Sequence, residues 1–192
     1  MKTKMIVGLV LLVASIGIAQ TYFAQKNVFN IYPEPTPGLA LADWITYGSF
    51  KELLSNTDVI IIGEVVKSSV VTTPLPSPDN HPNSYTQTIH TVNIEKVYKG
   101  VINGDSVLIE QYGDNTKYIL ESPQLPTGEK MILFLYEYSP GKYNIVGGPQ
   151  GRFHIVDGKV YSLGEVYSPA ADLCKSFSTN GVSVESFINS LT

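Results

Sequence analysis

The stretch Asp58-Val-Ile-Ile-Ile-Gly-Glu-Val-Val66 decides more about the fold than any other part of the chain. A strand sends successive side chains to opposite faces, so a run that is apolar on both parities needs cover on both sides. It predicts a central strand between two packed layers. Gly63 marks a bulge or the close approach of another backbone. Glu64 shares parity with Ile60 and Ile62 and is a candidate inward carboxylate, but a bulge at Gly63 turns it outward, and that is the reading adopted. Met131 to Tyr138 repeats the two-sided pattern, with Ile132, Phe134 and Tyr136 on one face and Met131, Leu133 and Leu135 on the other.

The segments around these strands carry turn chemistry. Tyr85 to Tyr98 alternates through Thr86, Thr88, His90, Val92 and Ile94, then Val97 breaks the parity, which predicts a bulge near Glu95 and Lys96. Val107 to Tyr112 follows the turn signals Lys99-Gly100 and Asn103-Gly104-Asp105. Ser139-Pro-Gly-Lys142 and Asp157-Gly158 predict hairpins into Tyr143 to Val146 and from Phe153 to Val156 into Lys159 to Tyr161. Residues Thr73 to Ser84 hold Pro74, Pro76, Pro78 and Pro82 and predict a projecting loop. Short helices are expected at each end. Phe50, Leu53 and Leu54 share a face behind a Ser49 cap and Glu52, and Val184, Phe187, Ile188 and Leu191 share one behind Ser183.

Six or seven strands without βαβ alternation predict a mainly β fold. The long, bulged strand near the start favours a partly open antiparallel Greek-key barrel of the OB kind.

The N-terminus reads as an address. Lys2 and Lys4 precede an unbroken apolar or small-residue run from Met5 to Ala19, ending in Gly17-Ile18-Ala19. Residues 1–24 are a cleaved signal peptide or an N-terminal membrane anchor, since the run through Ala24 has the length of a membrane span. Both readings place the rest of the chain outside the cytoplasm. Residues 25–48, with Pro33, Pro35 and Pro37, form a Pro-rich linker or arm. Residues 49–192 form one OB-like β domain.

Three pieces in order, Thr57-Asp-Val-Ile-Ile-Ile-Gly-Glu-Val65, Thr91-Val-Asn-Ile-Glu-Lys-Val-Tyr-Lys-Gly100 and Gly104-Asp-Ser-Val-Leu-Ile109, resemble the strand pattern of netrin-like domains. They are similar also to tissue inhibitors of metalloproteinases and to exported prokaryotic proteins with the same core. The resemblance spans about residues 50 to 150 and implies the OB-type barrel. In the inhibitors an N-terminal Cys chelates the protease zinc. Here the only Cys is Cys174, so that mechanism and its residues are not carried over.

Chemistry-bearing residues are sparse. Cys174 with His154 or His90 is a candidate thiolate-imidazole pair, against an inert thiol packed near Leu173 and Phe177. A single Cys excludes an internal disulfide and a multi-thiolate zinc site. Asp79 and His81 are candidates for a surface metal or calcium site, although such residues are ordinary turn formers. Gly147-Gly-Pro-Gln-Gly-Arg152 offers amides and a guanidinium to an anion, against a glycine-rich barrel corner. The twelve tyrosines are candidates for a stacking platform for a glycan or a nucleic acid. With 13 Lys and Arg against 17 Asp and Glu, the chain is poorly suited to nucleic acid. No residue is assigned a catalytic, cofactor-binding or metal-binding role, and no cofactor is expected.

The sequence therefore predicts an exported or membrane-anchored, non-catalytic binding module. Its expected partner is an extracytoplasmic protein, with a glycan second and no nucleic acid, and with membrane contact through the N-terminal segment if it is uncleaved. The Pro-rich loop at 73–84 and the barrel rim are the expected contact. The alternatives are an exported hydrolase with a site assembled only in three dimensions, and a structural envelope component.

Overall fold

The computed structural model describes residues 45–75, 83–114, 123–162 and 181–191. Among them the chain forms a short helix α1 (Phe50–Ser55), then β1 (Val59–Leu75), β2 (Asn83–Lys99), β3 (Ser106–Tyr112), β4 (Lys130–Ser139) and β5 (Lys142–Ile145). A 3-10 turn at Gly148–Gly151 leads to β6 (Arg152–Val156), β7 (Lys159–Ser162), β8 (Val182–Ser183) and a closing helix α2 (Val184–Asn189). The protein is mainly β, as its patterning predicts.

All eight strands join one sheet in the order β1-β2-β3-β5-β4-β6-β7-β8, and β1 also pairs with β4. The first five strands therefore form a partial ring. Its seam is narrow, because β3 and β5 pair only at Leu108 with Lys142 and at Ile109 with Tyr143. That pair is parallel, which corrects the expectation of a wholly antiparallel barrel. The reason is parity. Strands that alternate in direction around a ring of five cannot alternate at every border, so one neighbouring pair must run the same way.

β1 is buried on both faces. Val59, Ile61 and Val65 point into the ring with Val92, Ile109 and Leu133, while Ile60 and Ile62 point outward into a second core. β4 divides its side chains likewise, Met131, Leu133 and Leu135 inward and Ile132 and Phe134 outward. Each such side chain taken from water contributes roughly 1.5–3 kcal/mol before the cost of ordering the chain. The second core is aromatic. Phe50 of α1 and Phe187 of α2 close over Phe134 and Phe153, with Phe153 and Phe187 centroids 4.8 Å apart.

Both helices have their expected caps. Ser49 Oγ accepts from Glu52 N at 3.1 Å, and Glu52 reaches back to Gly48 N at 3.0 Å. Ser183 Oγ accepts from Ser186 N at 3.1 Å. Ahead of α1, Tyr47 is clamped by Gln150, which accepts from its N–H at 2.9 Å and donates to its carbonyl at 3.0 Å.

Gly63 sits at a close approach. A Cβ there would lie 2.6 Å from Val92 Cγ1 and 2.7 Å from Asn93 O. The accompanying bulge belongs to β2, where Glu95 is the extra residue between the pairs Ile62 to Lys96 and Gly63 to Ile94. The bulge predicted near Glu95 is thus present, whereas β1 keeps its register against β4 from Val59 to Glu64. Glu64 is exposed because its face of β1 runs past the end of the aromatic core, not because the strand turns over at Gly63.

The predicted loop at 73–84 is shorter than expected. β1 and β2 stay paired through Thr73 with Tyr85, Pro74 with Ser84 and Leu75 with Asn83, so the ladder extends into the proline-containing stretch as a two-stranded arm. A proline at the end of a strand removes one donor without breaking the rest of the ladder. Residues 76–82, with Asp79 and His81, lie outside the described residues, as do residues 1–24, most of the 25–48 segment and Cys174. Among the described residues no helix is long and apolar enough to cross a membrane.

Candidate functional site

Two places gather polar chemistry. The first is one end of the ring interior, where inward positions of β2, β3 and β6 change from aliphatic to polar: Thr88 and His90, Gln111, Arg152 and His154. All five are buried. Arg152 donates through Nη1 to the carbonyl of Pro123. Gln111 Oε1 accepts from Leu125 N at 2.8 Å, and Thr88 Oγ1 donates to Gly113 O at 2.8 Å. The bonds of Arg152 and Gln111 fasten the 123–125 segment across the end of the ring, and that of Thr88 ties β2 to the residue just beyond β3.

Within this cluster Gln124 Nε2 donates to Tyr112 O at 2.8 Å, which orients its amide and leaves Oε1 to accept from His90 Nε2 at 3.0 Å. His90 Nδ1 then accepts from Ser68 Oγ at 2.8 Å. This tautomer follows from the network. Burial pushes the His90 pKa down to about 4, against the hydrogen bond to Gln124 that favours the charged ring, and the Arg152 guanidinium adds to the lowering. His154 is also lowered, chiefly by burial, even though its Nδ1 lies 2.8 Å from Glu129 Oε2. The hydroxyl, imidazole and amide have the connectivity of a nucleophile, a base and an orienting group, but a ring this reluctant to take a proton is a poor base at neutral pH.

The second place is a cleft of about 550 Å³ where β3 and β5 part. Beyond Ile109 and Tyr143 the two strands no longer pair, and the opening is walled by Glu110 and Tyr112 on one side and Asn144 and Ile145 on the other. Tyr47, Tyr85 and Tyr136 complete an aromatic lining. Tyr85 and Tyr112 pack with centroids 5.1 Å apart, and Asn144 Nδ2 donates to Tyr136 Oη at 3.1 Å. Lys142 Nζ lies 3.1 Å from Glu110 Oε1. Burial raises the phenol pKa values of Tyr47, Tyr85 and Tyr138, and Glu52 raises Tyr47 further while Glu110 raises the other two. The size and lining are those of a small-ligand or side-chain pocket, with preset polar groups among aromatic walls.

The sequence-derived candidates separate between these places. The tyrosines named as a platform converge in part at the cleft. His90 and His154 enter the buried polar end, and Cys174 lies outside the described residues. The Gly147 to Arg152 segment is a buried corner. Gly147 and Gly148 take left-handed φ of 63° and 54°, and Arg152 turns its guanidinium inward to Pro123. A Cβ on Gly151 would sit 2.2 Å from Val146 O, so the corner serves a close backbone approach. Among the described residues no three His, Cys, Asp or Glu side chains come together as metal ligands would. The polar end was missed from sequence, although Arg152 and His154 share parity and Gln111 shares it with Val107 and Ile109.

The sequence matches none of the known protein families and none of the curated proteins with which it was compared.

Proposed function

We propose that the chain is an exported or membrane-anchored binding module built on an OB-type Greek-key barrel, and that it holds a partner protein in the tyrosine-lined cleft between β3 and β5. The barrel reading is supported by the strand order β1-β2-β3-β5-β4 with β1 returning to β4. The resemblance to netrin-like domains stands as part of the same proposal. The extracytoplasmic location rests on the charged, then apolar, start of the sequence.

One observation carries the binding reading: four tyrosine rings and the ends of two strands surround an open cleft of about 550 Å³. Aromatic rings give large contact area at low entropic cost, which is why they concentrate where proteins grip one another. The test is crosslinking of the full chain in its native envelope, followed by mass spectrometry of what is attached. A recurrent partner is expected with the native chain, and Tyr112→Ala with Tyr136→Ala should lower its recovery at least tenfold. Unchanged recovery from the double variant would remove the cleft from the account.

The Ser68, His90 and Gln124 chain supports a second reading, an exported hydrolase. It predicts turnover of an activated ester such as p-nitrophenyl acetate that is lost in Ser68→Ala. Equal turnover by the two proteins would end it.

A further inference from the structure

The cleft has a shape that selects among partners, and the argument here rests on the binding role proposed above. β3 is held on one side by β2 through Ile89 with Glu110, Thr88 with Gln111 and Gln87 with Tyr112. β5 is held on its far side by β4 through Tyr136 with Asn144 and Leu135 with Ile145. The facing edges of β3 and β5 pair at Leu108 with Lys142 and at Ile109 with Tyr143 and then diverge, and among the described residues no strand lies between them.

We propose that this fork takes an extended, basic segment of a partner protein as an added strand. Three observations meet in it. The ring of five is forced to hold one parallel border, and a sixth strand running antiparallel to both β3 and β5 would let direction alternate around the whole ring. The Tyr112 carbonyl already accepts from Gln124, so such a strand would follow β3 along Glu110 and the Tyr112 N–H and β5 along Asn144 to Ile145, with its alternate side chains meeting the tyrosine rings. The charge leans the same way: Glu110 lines the cleft with Lys142 beside it at 3.1 Å, and Glu52 acts on the lining Tyr47, raising its phenol pKa after burial has done so, so carboxylates outnumber cations there by one. An Arg or Lys side chain on the added strand would face aromatic rings beside the carboxylate of Glu110.

The probe is a phage-displayed random decapeptide library panned on the full chain, with the enriched peptide then synthesised. Strand addition predicts enriched sequences with Arg or Lys among β-branched residues and without proline. N-methylation of a central amide should weaken binding at least tenfold, and so should Tyr112→Ala. If Tyr112→Ala does not fold, Tyr136→Ala replaces it. Proline-rich or acidic winners, affinity indifferent to N-methylation, or no enrichment at all would each overturn the proposal. Binding of a neutral oligosaccharide that is lost with Tyr112→Ala would keep the cleft as a binding site and still overturn strand addition.

Discussion

Burial inside the ring keeps His90 neutral at pH 7, and this couples stability to pH. Its pKa is about 4 in the folded chain and near 6.5, the ordinary value of the side chain, when unfolded. Between those values the unfolded chain binds more protons, so stability is full above the unfolded pKa and falls as pH drops through the window toward the folded one. The loss from this one group is about 3 kcal/mol by pH 4. His154 is lowered too and adds to the loss in the same direction. Urea denaturation at pH 7 and at pH 4.5 should show a marked drop for the native chain and a smaller one for His90→Gln. An equal drop in both would mean that another group carries it. Arg152 sharpens the effect, since an imidazolium would share the buried end of the ring with a guanidinium.

Strand β1 illustrates what an element discloses before it folds. Its two-sided apolar pattern, the caps at Ser49 and Ser183, the Asp157-Gly158 turn and the bulge at Glu95 were all legible, because each depends on neighbours within a few residues. The seam was not legible, because it depends on how many strands close the ring. Tyr85, Tyr112, Tyr136 and Asn144 meet only through that closure, and their positions in sequence say no more than that they lie near strand ends. The fully buried Arg152 ran against the usual exposure of arginine, and only its parity with His154 hinted at the inward face. Two predictions belong here. Gly63→Ala should cost about 1–3 kcal/mol, because its Cβ meets both Val92 and the backbone of Asn93. Phe187→Ala should cost about 3–5 kcal/mol, since α2 inserts this ring, fully buried, against Phe50 and Phe153. Chemical denaturation measures both, and a change below about 0.5 kcal/mol, typical of free surface positions, would contradict the packing described.

At the scale of the whole molecule, the ring interior and the outer aromatic core share β1 and β4. Neither core survives the loss of these strands, so the domain should unfold in one transition, with tyrosine fluorescence and far-ultraviolet circular dichroism falling together in Leu133→Ala and in Phe153→Ala alike. Separated transitions would mean that the two cores fold independently. The proposed function is drawn from the same architecture: the strands that enclose the core leave one border incomplete, and Tyr47, Tyr85, Tyr112 and Tyr136 gather there. Hydrogen exchange measured by mass spectrometry on the full chain, with and without its captured partner, tests this most directly. The account predicts new protection at Glu110 to Tyr112 and at Asn144 to Ile145. Protection confined to the β1 and β2 arm, with both edges of the cleft exchanging as before, would contradict it.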